Sequence, residues 1–168
     1  MTTTDEQTVS FDVFRKAYLE LLDETFDNVQ GAFLDPGDSL FPTLASVTAS
    51  QASKVVGSCG NSIAGQVNHL IFYFDVGFEY MQGRNPGRQD WAQAWKTIEV
   101  TDDEWESLKQ QLRERQQRLI KLLREYSGEM NEDIVGGAFA TLAHTAFHLG
   151  QIRHALCMLG PEAPSQTS

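Results

Sequence analysis

The chain has little cysteine: two residues, Cys59 and Cys157, in 168. Two are too few for a disulfide framework, and they suit a reduced, cytoplasmic setting. Positive charge is also scarce: 13 Lys and Arg against 23 Asp and Glu leave a formal net charge of −10. A phosphate-binding surface needs clustered Lys and Arg, so no nucleic-acid partner is expected and no anionic membrane surface either. Long apolar runs are missing. Each is broken by His, Asp or Gly well before the ~18 residues of a membrane span. No basic N-terminal segment runs into an apolar stretch, so no signal peptide is expected. Proline is rare, at five residues, and with long stretches of helical periodicity this predicts an all-α fold.

Apolar residues make up 41% of the chain, which is ordinary for a folded protein and too high for wholesale disorder. A single domain commonly takes roughly 100–200 residues. One domain is therefore expected over 1–168, with a core from about 11 to 159 and flexible termini at 1–9 and 160–168.

Four long helices are predicted. Ser10 caps the first, Phe11 to about Gln30, whose Phe14, Tyr18, Leu21, Leu22, Thr25, Phe26 and Val29 recur at spacings of three and four. Asp35-Pro36-Gly37-Asp38 reads as a turn, and Leu40, Phe41, Leu44 and Val47 suit a short helix. Asn61 or Ser62 caps the second long helix, Ile63 to about Met81, apolar on most faces and so deeply buried. Gly83 to Gly87 breaks the pattern before a segment with Trp91 and Trp95. Thr101 and Glu104 form a capping box for the third, Trp105 to about Tyr126. Gly128 suits a left-handed cap after it. Asn131 opens the fourth, Glu132 to Leu159, and Gly160-Pro161 stops it. Four helices of about twenty residues make a four-helix bundle. The short link between the last two makes them antiparallel neighbours. The link of about twenty residues between the second and third can cross the bundle, which gives up-down-down-up.

The chemistry concentrates in the four histidines. His144 and His148 are four apart, about 40° from each other around a helix and one turn along it. That spacing lets two imidazoles grip one metal ion, and equally occurs in pairs of core or surface histidines. Their helix is apolar around them (Phe139, Leu142, Ala143, Ala146, Phe147, Leu149), so it is expected to be buried nearly all round. Buried imidazoles need partners. His69 lies midway along the other strongly buried helix, with Gln66, Tyr73, Val76 and Tyr80 on its face. Alone it reads as a hydrogen-bonded core histidine; with the pair it completes three neutral ligands with an open position. His154 falls outside this set, in the last turn of its helix.

These residues resemble the DinB/YfiT-like metalloenzyme family. The run His144-Thr-Ala-Phe-His148-Leu-Gly-Gln-Ile-Arg153 resembles its closing helix, and Asn61 to Leu70 resembles the second helix that carries its first metal-binding His. Trp91 through Asp102-Asp103-Glu104-Trp105 to Leu112 looks like its third-helix entry. The resemblance spans roughly Phe11 to Leu159. It implies a four-helix bundle, a homodimer, and a divalent ion held by His69, His144 and His148. Zn or Ni suits three imidazoles best, with Fe, Co and Mn open. Members include thiol-dependent enzymes such as bacillithiol transferases and a mycothiol-dependent maleylpyruvate isomerase.

Two function classes follow. The first is a divalent-metal-dependent transferase or hydrolase acting on a small molecule with a low-molecular-weight thiol. Tyr73, a candidate donor to a substrate oxygen or thiolate, and Gln151, a candidate to orient a ligand or bound water, are its only catalytic candidates. The second is a non-catalytic, stress-linked metal-binding dimer. A helical bundle without metal is the plainer alternative. Trp91 to Trp95 suits either a dimer contact or local packing.

Overall fold

The computed structural model describes residues 10–57, 60–96 and 99–160. The predicted loose start, Cys59 and the tail from Pro161 lie outside them. Among the described residues there are six α-helices, a short 3-10 turn and no strand: α1 (Phe11–Phe26), α2 (Leu40–Ala45), α3 (Ala49–Ala52), α4 (Ile63–Met81), α5 (Asp102–Glu125) and α6 (Glu132–Leu159), with the 3-10 turn at Gln93–Trp95 between α4 and α5. The all-α expectation holds. No helix among the described residues is long and apolar enough to cross a membrane.

Local signals set most helix ends. Ser10, Ser62 and Asn131 accept from backbone N–H groups three residues on, at the starts of α1, α4 and α6. Each satisfies one of the four orphan donors at a helix start. Thr101 and Glu104 make the predicted reciprocal cap on α5, and Thr48 with Gln51 makes another on α3.

Two expected ends are corrected. α1 stops at Phe26 rather than Gln30. The Asp23 carbonyl takes the N–H groups of both Asp27 and Asn28. Glu24, almost fully buried, accepts from the N–H groups of Ala32, Phe33 and Leu34 at 2.8–3.0 Å. The chain after Phe26 thus folds back onto a carboxylate instead of continuing the helix. After α5, Tyr126 is already extended, and Gly128 is not among the positive-φ glycines. The Tyr126 hydroxyl donates to the Glu129 carbonyl instead.

The long helices pack in pairs. α4 lies against both α5 and α6, and α1 lies against both as well. Along α4 and α5 the contacts advance together: Asp75 meets Arg115 and Phe78 meets Arg118. Along α4 and α6 they run in opposite order: Gln66 meets His148 and Tyr73 meets His144. α1 and α5 also run in opposite order, with Arg15 at the Arg124 carbonyl and Asp27 at Arg113. α5 and α6 therefore sit diagonally and are not the neighbours expected from their short link. Residues 126–131 separate them. Six residues reach roughly 20 Å, more than the ~14 Å diagonal of helices spaced ~10 Å apart.

The core runs through Leu22, Phe26, Leu44, Leu70, Phe74, Phe78, Leu112, Leu149 and Ile152, all buried. Trp105 anchors α5: it is 2% exposed, and its Nε1 donates to the Val47 carbonyl at 2.8 Å. Truncating such a residue to Ala costs about 3–5 kcal/mol.

α6 departs from expectation. It is not buried all round: Phe139, Phe147 and Met158 are 54%, 60% and 64% exposed. Only one side of it faces α4 and α1, because α5 lies across the diagonal and leaves the other side uncovered.

Candidate metal centre

The three histidines meet where α4 and α6 cross. Opposed helix order brings the start of α4 beside the middle of α6, so His69 reaches a pair 75 and 79 positions further along the chain. The ring centroids lie 5.0 Å (His69–His144), 4.7 Å (His69–His148) and 4.4 Å (His144–His148) apart. One nitrogen from each ring lies within 4.8 Å of one from each of the others. His69 and His148 are buried, and His144 is partly so.

Aromatic rings wall this cluster. Trp95 stacks on His69 at 4.0 Å and 12°, and Tyr73 stacks on His144 at 3.9 Å and 18°. Phe147 stands edge-on to His148 at 5.1 Å, and Trp91 lies near His69, Phe72 and Tyr73. Trp95 sits on the 3-10 turn, which Asn68 ties to α4 by donating to the Ala94 carbonyl at 2.8 Å. The residue next to His69 thus holds the turn that covers His69.

The rings stay neutral at ordinary pH. Burial pushes the His69 imidazole down to about 4, with the neighbouring His144 adding to it. Burial likewise pushes His148 to about 3, helped by His144 and His69, and lowers His144. A neutral imidazole keeps a lone pair, which a ligand needs.

Hydrogen bonding is incomplete in a specific way. His148 Nδ1 lies 2.5 Å from Gln66 Oε1. His69 Nδ1 and His144 Nε2 are buried and have no partner. Buried polar atoms are nearly always paired, so an unpaired one needs an explanation, of which a bound ion is one and a water another. Two such atoms, on two rings of one three-histidine cluster, fit a cation that takes nitrogen donors. These residues could hold a divalent metal ion, and the donors do not distinguish Zn, Ni, Fe, Co and Mn.

Other sequence candidates fall as follows. Tyr73 is at the cluster, but its ring packs on His144, and burial raises its pKa, with Thr141 opposing that rise. Gln151 is exposed. His154 is exposed, away from the cluster. Trp91 to Trp95 packs on the cluster. Sequence reasoning missed Gln66 as a partner of His148. The available signal was an amide three residues before His69, on the same helix face.

A family model described as the DinB superfamily matches residues 32–152. No curated protein matches the chain, and no solved structure does.

Proposed function

The chain belongs to the DinB superfamily, and from that premise we propose that it is a divalent-metal-dependent enzyme whose ligands are His69, His144 and His148. The observation that carries this reading is the pair of buried, unpartnered nitrogens on His69 and His144 beside a third imidazole. Three protein ligands leave a coordination position open, the arrangement of catalytic rather than structural sites. A divalent ion there would stabilise a thiolate at neutral pH.

The reaction class is addition of a low-molecular-weight thiol to a small electrophile. A sulfur–carbon bond forms as a carbon–carbon π bond of the electrophile opens; the thiol proton passes to solvent, and the adjacent carbon takes up a proton from solvent in its place. This chain's own residues exclude water and orient: Trp95 and Tyr73 fix the planes of two imidazoles, and burial holds all three neutral. Zn or Ni is the proposed metal.

The proposal includes one domain in an up-down-down-up bundle, supported by the opposed order of α4 with α6 and the shared order of α4 with α5. It also includes a cytoplasmic homodimer, for which the exposed Phe139, Phe147 and Met158 of α6 offer an apolar face.

The test is thiol consumption with a model electrophile. Protein reconstituted with Zn or Ni is compared with chelated protein and with His148→Ala. Metal-dependent conjugate formation, lost in both controls, is expected. Metal uptake without thiol addition by any common low-molecular-weight thiol would remove the catalytic reading and favour a non-catalytic metal-binding protein.

A further inference from the structure

A neutral imidazole has two unlike nitrogens. One carries the proton and donates; the other carries the lone pair. Which is which depends on the hydrogen bond that one of them makes. A histidine that serves as a ligand therefore needs a group that takes its N–H, or its tautomer is left to chance.

Among the three clustered rings, His148 has such a group. Its Nδ1 meets Gln66 Oε1 at 2.5 Å, and the two residues are 4% and 7% exposed. Gln66 sits near the start of α4, where the Ser62 cap fixes the first turn. It lies one turn before His69, so the residue that contacts His148 shares a helix face with another ring of the cluster. An amide oxygen can only accept. If Oε1 faces the ring, Nδ1 must carry the proton and Nε2 the lone pair. With the amide rotated, its NH2 would donate to Nδ1 and leave the proton on Nε2, where it would block that nitrogen as a ligand.

We propose that Gln66 is a positioning residue that holds His148 as the Nδ1–H tautomer, so that Nε2 is the nitrogen it offers to a metal shared with His69 and His144. The role in metal binding rests on the proposed function; the tautomer does not.

The test has two arms. Long-range proton–nitrogen NMR of the metal-free protein at pH 7.5 reads the His148 tautomer directly. Wild type is expected to show the proton on Nδ1. Gln66→Leu is expected to lose that preference, and Gln66→Glu, whose carboxylate also accepts, to keep it. In the second arm, Zn affinity is measured by chelator competition. Gln66→Leu is expected to bind about 10–100-fold more weakly, the usual effect of losing a partner behind a ligand, with Gln66→Glu restoring affinity.

A Gln66 that only fills the core would lower the melting temperature of Gln66→Leu and leave both readouts unmoved, which would overturn the proposal. A proton on Nε2 in wild type would overturn it without any variant, so a Gln66→Leu protein that fails to fold does not decide the matter. Wild type that takes up no Zn contradicts the proposed function instead. In that case the tautomer arm still supports or overturns the positioning of His148.

Discussion

Two interhelical seams bury polar groups, and they are finished differently. Between α1 and α5, Asp27 accepts from Arg113 and from Gln116, the latter at 2.8 Å, and the Arg113 guanidinium lies over the Phe41 ring at 3.4 Å. The seam's other guanidinium, Arg15, donates to the Arg124 carbonyl and lies over the Phe11 ring at 4.3 Å, and only its Nε is buried without a hydrogen-bond partner. Between α4 and α6, three imidazoles converge, and two of their buried nitrogens meet nothing. A seam made only to hold helices together completes its polar pairs, because an unpaired buried group costs about 1–3 kcal/mol. Leaving two unpaired costs stability that a bound ion would return. The first seam has the pairing of architecture, and the second has the unpaired nitrogens that support the proposed site.

Acid should separate the two seams most. Unfolded imidazoles take up protons near pH 6.5, whereas His69 and His148 resist until about 4 and about 3. Between those limits the unfolded chain binds more protons, so metal-free stability falls as pH drops from about 6.5 towards 3. Denaturant midpoints measured across that range should show this slope, and a His69→Phe/His148→Phe variant should flatten it.

Metal should act next in size, and on the α4–α6 seam alone. At a free concentration of 100 times Kd, saturation adds about 2.7 kcal/mol. Calorimetric melting should show it in wild type. A rise of the same size in the His144→Ala/His148→Ala variant would erase the distinction between the seams.

Single substitutions should have opposite consequences in the two places. Asp27→Ala strands Arg113 and Gln116, and denaturant unfolding should show a loss of about 1–3 kcal/mol whether or not metal is present. His144→Leu removes an already stranded atom. Metal-free, it should be neutral or up to about 1 kcal/mol more stable, while the gain from metal disappears. The smallest effect belongs to Tyr73→Phe, which keeps the ring on His144 and removes only the hydroxyl that Thr141 influences. A loss of about 0.5–1.5 kcal/mol with metal affinity unchanged is expected by competition titration. A large fall in turnover in this variant would instead make Tyr73 a catalytic residue.

How much of this was legible follows from range. Signals within a helical turn read correctly: Ser10, Thr101 with Glu104, and Asn131 all cap as their spacing predicts. The pairing of His144 with His148 is of the same kind. His69 could be joined to them because two apolar helices leave a histidine few places to go. Relations across the chain were not legible. Gln66 reaches His148 over 82 positions, and that bond depends on the register of α4 against α6, which no local pattern encodes. The stacking of Trp95 on His69 depends on a loop tied down by Asn68. The exposure of Phe147 could not be read either. An apolar helix face looks the same in sequence whether another helix covers it or not, and the diagonal placement of α5 decides it.

The most direct test of the site is metal analysis of the purified, untagged protein beside a His144→Ala/His148→Ala variant. One equivalent of a divalent metal in wild type, absent from the variant, is the predicted result. No metal in wild type after reconstitution with Zn, Ni, Fe, Co and Mn in turn would contradict it, and would return the three histidines to the core of a helical bundle.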